Sequence, residues 1–115
     1  MTADIKDWHA HIYFADAAQK ERALKLREMI GAAFDTRLGR VHDVPVGPHP
    51  IAMYQVHFAN AVFPTLVPWL ALNRDGLAVL VHPNTEDEVA DHSDHAIWMG
   101  QVLPLNLDVL RKLKA

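Results

Sequence analysis

His9 and His11 stand one residue apart in the run Trp8-His9-Ala10-His11-Ile12-Tyr13-Phe14. On a β-strand that spacing puts His9, His11 and Tyr13 on one face and Ala10, Ile12 and Phe14 on the other. Side chains two apart along a strand have Cα atoms roughly 6.5 Å apart, close enough for two imidazole nitrogens to converge on one ion. Further histidines stand at His42, His49, His57, His82, His92 and His95, eight in all, and the chain has no cysteine. Any metal site must therefore be built from imidazole and carboxylate, without thiolate or an iron–sulfur cluster, and no disulfide framework exists. Neutral imidazoles hold divalent transition metals, and one with an ordinary pKa of ~6.5 can also carry a proton near neutral pH. A solvated or internally hydrogen-bonded His-x-His is the plain alternative for this pair taken alone.

The remaining composition sets limits. A chain of 115 residues is expected to form a single domain, residues 1–115, with a hydrophobic core of its own. The net charge of −3 has no basic block behind it, which argues against a nucleic-acid surface. The polar start Met-Thr-Ala-Asp and the absence of a long apolar run predict neither a signal peptide nor a membrane span, and the lack of cysteine favours the cytoplasm.

The elements that must position the histidines follow from periodicity. A first strand is predicted over about Trp8–Phe14. Asp16 with Gln19 three residues later forms a capping-box pattern, and Leu26, Met29, Ile30 and Ala33 recur at helical spacing up to about Phe34. Arg40–Val44 reads as a second strand, followed by the rigid loop Pro45-Val46-Gly47-Pro48-His49-Pro50. Ile51–Phe58 reads as a third strand with His57 on its polar face. Asn60–Asn73 reads as a helix, with Pro64 in its first turn and Pro68 a kink, or else starting only near Thr65. Leu77–Val81 is a short fourth strand ending at His82-Pro83, and Leu107, Leu110 and Leu113 suit a final amphipathic helix.

The order β-α-β-β-α-β plus an extension predicts an α+β, ferredoxin-like fold with an antiparallel sheet in the order 4-1-3-2 and helices on one face. In that topology His9, His11, His57 and His82 collect at one corner of the uncovered face, while His42 and His49 fall toward the opposite end. A partner's proline loop would reach the site if two sheets faced each other in a dimer.

His9-Ala10-His11-Ile12-Tyr13-Phe14, His42-Asp43-Val44-Pro45-Val46-Gly47-Pro48-His49-Pro50, Val67-Pro68-Trp69-Leu70 and His82-Pro83-Asn84-Thr85 with Asp91-His92 and Trp98 together resemble the DOPA 4,5-dioxygenase family. The resemblance spans about Trp8 to Gly100. It implies a non-heme iron(II) enzyme that opens a catechol such as L-DOPA beside its hydroxyls with dioxygen, in a small, cytoplasmic, homodimeric protein. The family's histidines carry over onto His9, His11, His42, His49 and His82. On that footing His11 and His82, with His9 as a third ligand, would hold iron(II), with zinc a substitute in purified protein. His42 or His49 would serve as the acid/base or oxygen-side group, whereas Tyr13 and His57 are expected to face the substrate from their place on the polar sheet face alone. A carboxylate ligand stays open among Glu86, Glu88, Asp91, Asp94 and Asp43.

Several of these residues have simpler readings. His49 can hydrogen-bond its own loop, Asp91 and His95 can form a surface helix pair, Glu86–Glu88 suits a solvated first helical turn, and Trp69 and Trp98 suit core or interface anchors. Two other functional classes compete with the oxygenase. One is a non-catalytic metal- or small-molecule-binding module, and the other a cofactor-free enzyme on the same scaffold.

Overall fold

A computed structural model describes residues 4–114. Asp16 starts the first helix as its pattern predicts. Its carboxylate accepts the Gln19 N–H at 2.8 Å, and the Gln19 side chain accepts the Ala15 N–H at 2.8 Å. The elements are β1 (Asp7–Tyr13), α1 (Ala17–Ala33), β2 (Arg37–Leu38), β3 (Met53–Phe58), a 3-10 turn (Asn60–Val62), α2 (Phe63–Asn73), β4 (Val79–Asn84), α3 (Glu88–Asp91), β5 (Ile97–Met99) and α4 (Leu107–Lys114). The sheet order is β2-β3-β1-β4-β5, with every pairing antiparallel. This is the expected ferredoxin-like arrangement with a fifth strand added beside β4.

The expected face division holds. Ala10, Ile12, Tyr54, Val56, Val79 and Val81 are fully buried against Ala23, Leu26 and Ile30 of α1 and Leu66 and Leu70 of α2. Burying a Leu or Ile contributes roughly 1.5–3 kcal/mol, so this layer can offset the cost of desolvating imidazoles on the other face. The α1 stripe differs in one detail from the predicted set. Ala23, Leu26 and Ile30 face the core, whereas Met29 is 47% exposed and Ala33 lies outside. α2 follows the first of the two readings, with Pro64 at its start and Pro68 inside it.

The second strand is not Arg40–Val44. Pairing runs through Arg37↔His57 and Leu38↔Val56 and then resumes at His42↔Met53, one residue out of step. That extra residue is a β-bulge, and it turns Val41 toward the helices and His42 onto the opposite face beside Met53. The fourth strand also runs further than predicted. It continues through His82 and Pro83 to Asn84, because β5 pairs only as far as Val81 and leaves Pro83 at an edge where its missing N–H costs no ladder bond.

The face without long helices is not bare. Tyr13, Met53 and Leu80 form a second buried cluster under Trp98, Leu103 and Leu105. The Asn106 N–H bonds the Pro48 carbonyl at 2.8 Å and ties this covering segment to the proline loop. Among the described residues no helix is long and apolar enough to cross a membrane.

Candidate metal centre

Register alone brings the first three histidines together. His9 pairs with His57 on β3 and with His82 on β4, so one rung across the sheet carries His57, His9 and His82 on the same face. Neighbouring strands lie about 4.8 Å apart, and the ring centroids of His9 stand 5.2 Å from both His57 and His82. His11, one step along β1, stacks beside His82 with Nε2 atoms 3.1 Å apart.

His9, His11 and His82 each offer a nitrogen within 4.8 Å of the other two, and no carboxylate joins that group among the described residues. Two nitrogens bound at about 2.1 Å to one ion lie about 3.0 Å apart at a right angle and about 3.4 Å apart at a tetrahedral angle. The 3.1 Å pair therefore fits either geometry. The Nδ1–H of His82 donates to the Pro83 carbonyl at 2.9 Å, which leaves its Nε2 lone pair toward His11. Buried His11 Nδ1 has no hydrogen-bond partner among the described residues. A trio of neutral nitrogen donors suits iron(II), zinc and similar divalent ions, and this chain can hold one there.

The candidate carboxylates are committed elsewhere. Asp91 is 1% exposed and accepts the Thr85 N–H and hydroxyl, each at 2.7 Å, and His95 Nδ1 at 2.9 Å. Asp43 pairs with Lys20 at 2.6 Å on the surface, and Glu86, Glu88 and Asp94 are exposed.

His49 does not lie at the far end. The turn Val46–His49 closes with a 3.0 Å bond from the His49 N–H to the Val46 carbonyl, and Gly47 takes φ +53°, which a side-chain-bearing residue adopts only with strain. The turn delivers the imidazole of the same chain to 4.2 Å from His11, ring centre to ring centre. No partner subunit is needed to bring it. His42 reaches the same face through the bulge.

Tyr13, expected at the substrate, is 1% exposed, stacks near Trp98 at 5.9 Å and bonds His49 Nδ1 at 2.7 Å. Both nitrogens of His57 are engaged. Arg37 donates to its Nδ1 at 2.8 Å, and its Nε2–H donates to Asp7 at 2.7 Å. His57 also borders a cleft of about 280 Å³ with Lys6, Asp35 and Arg37.

His92 is the residue that sequence reasoning left outside the site. Its ring lies 4.1 Å from His82 and 6.3 Å from His49, and its Nδ1–H donates to the Glu88 carbonyl at 2.7 Å. The available signal was its place in the run His82-Pro83-Asn84-Thr85 with Asp91-His92. His95 points its Nδ1 to Asp91 and serves that anchor.

Crowding and burial keep the cluster neutral. Desolvation first, then repulsion from neighbouring imidazoles, lowers His9 and His49 to about 4 and His82 to about 3, and holds His11 well below the ordinary 6.5. The unfolded chain binds protons near 6.5 and the folded one does not, so stability is fullest above pH 6.5 and falls as pH drops toward 4. For His49, 6% exposed, the loss is about 3 kcal/mol. Urea midpoints of chelator-treated protein between pH 7.5 and 4 should show this fall, and a flat profile would contradict the neutral cluster.

The sequence profile of the Dopa 4,5-dioxygenase family matches residues 8–109. A DOPA 4,5-dioxygenase of Amanita muscaria is 38% identical over 93% of this chain and 50% of its own length. An uncharacterized 21.2 kDa protein of Botryotinia fuckeliana is 40% identical over 94% of this chain and 64% of its own length. The chain thus spans about half to two-thirds of these curated relatives. The crystal structure of a candidate dioxygenase from Nostoc punctiforme is 51% identical and superposes with a TM-score of 0.92 over 95% of this chain and 94% of that one.

Proposed function

The chain belongs to the Dopa 4,5-dioxygenase family, and from that premise we propose that it is an iron(II)-dependent extradiol dioxygenase acting on a catechol such as DOPA. The observation that carries this reading is the convergence of His9, His11 and His82 within 4.8 Å on the polar face of the sheet. When bound, iron(II) supplies Lewis acidity that lowers the pKa of a catechol hydroxyl and a redox couple for dioxygen.

The chain's own residues do the rest. His9, His11 and His82 hold the ion as neutral donors, and the Pro83 carbonyl keeps the His82 Nε2 lone pair facing inward. His49, beside His11, is the group placed to hold or pass a proton next to the substrate, with His42 on the same face as the second candidate. His57, locked between Arg37 and Asp7 and 5.2 Å from His9, would border a bound substrate. Covering the sheet with Trp98, Leu103 and Leu105 keeps bulk water from the Tyr13 end of the site.

Chelator-treated protein reloaded anaerobically with iron(II) should consume one dioxygen per catechol and give a coloured, ring-opened product. The chelated protein should do neither. No oxygen uptake across a panel of catechols including DOPA would count against the assignment.

A further inference from the structure

The imidazole nearest His11 is that of His49, at 4.2 Å against 5.1 Å for His82 and 5.8 Å for His9, yet His49 contributes no nitrogen to the convergent trio. One of its two ring nitrogens is held by Tyr13. Its hydroxyl lies 2.7 Å from His49 Nδ1, and the phenol is 1% exposed with no other hydrogen-bond partner among the described residues. A buried hydroxyl can satisfy its proton there only by donating it to Nδ1, because the reverse bond, from an Nδ1–H to the phenol oxygen, would strand the O–H proton in an apolar pocket. The walls of that pocket are Met53, Leu80, Trp98, Leu103 and Leu105. With Nδ1 occupied as an acceptor, a neutral His49 must carry its proton on Nε2, at the edge of the ring turned away from Tyr13.

We propose that Tyr13 is a positioning residue that holds His49 in its Nε2–H form, so that His49 presents a hydrogen-bond donor beside the candidate metal trio and is withheld from ligation. His82 shows the opposite arrangement on the same face. Its Nδ1–H is tied to the Pro83 carbonyl, and its Nε2 keeps a lone pair. The two imidazoles beside His11 are thereby sorted into ligand and donor by what each Nδ1 meets. A fixed donor there suits a negatively charged or partly charged oxygen, such as that of a catecholate. This last step rests on the oxygenase reading, whereas the tautomer does not.

Long-range ¹⁵N–¹H correlation spectra of metal-free protein at neutral pH, with His49→Asn to assign the ring, test the tautomer directly. The expected result is a protonated Nε2 and an unprotonated, hydrogen-bonded Nδ1 for His49, with the reverse pattern for His82. A His49 dominated by the Nδ1–H form would overturn the proposal. Tyr13→Phe should remove the Nδ1 hydrogen-bond signature and let the His49 tautomers mix. In iron-loaded protein it should lower kcat about 10- to 100-fold with KM within about twofold. An unchanged His49 spectrum in that variant would also overturn it. If wild-type protein shows the Nε2–H form but no oxygen uptake, the positioning role stands and the oxygenase reading fails.

Discussion

His82→Ala is expected to lower affinity for zinc or cobalt(II) by about 10²- to 10³-fold and to reduce oxygen uptake by iron-loaded protein to background. A four-ligand site worth about 10–16 kcal/mol divides to roughly 3 kcal/mol per ligand, and this substitution removes one outright. His82 is the right choice because its Nε2 lies 3.1 Å from that of His11 and its Nδ1 is already committed to the Pro83 carbonyl. Metal competition titrations read the affinity, and a cooperative urea transition of the metal-free variant shows that the fold survives. An affinity within a few-fold of the parent would remove His82 from the site.

Asp91→Ala is expected to cost about 3 kcal/mol of stability. The carboxylate is 1% exposed, and its loss removes the acceptor of the Thr85 N–H and hydroxyl and releases the exposed His95 ring to solvent. Burial pushes the Asp91 carboxyl up, but hydrogen bonds from His95 and Thr85 outweigh it and the net direction is down. The stability it contributes is therefore present above its ordinary pKa of 3.8 and is lost on acidification below it. α3 has four residues, too few to persist without that anchor, so His92 should leave His82. Metal affinity should fall by less than tenfold, since His92 is outside the convergent trio. Urea denaturation and metal competition together separate the two effects. A loss below about 1 kcal/mol would show that the Thr85…Asp91 contact is a surface pair.

Local chemistry was enough for much of this. The alternation of β1 puts His9, His11 and Tyr13 on one face whatever the rest of the chain does, because the strand period is two. Capping by Asp16 and Gln19 depends on four neighbouring residues and formed as read. The element order carried the sheet arrangement, and with it the meeting of His9, His11 and His82, because antiparallel register leaves few ways to pair β1 with β3 and β4.

Tertiary contacts decided the other half of the site. A one-residue bulge after Leu38 turned His42 to the polar face, and no periodicity announces an inserted residue. The proline loop was legible as rigid, but its direction depends on Gly47 and on Asn106 holding Pro48. His92 reached His82 only because Asp91 is buried on Thr85, six residues away in sequence and beyond any helical spacing. The amino-acid order thus determines which side chains can ligate and which face they share, since both follow from residue type and strand period. Which imidazole gives a lone pair and which gives a proton depends on the atom each Nδ1 meets, and those atoms, the Tyr13 hydroxyl and the Pro83 carbonyl, take their places only when the chain has folded.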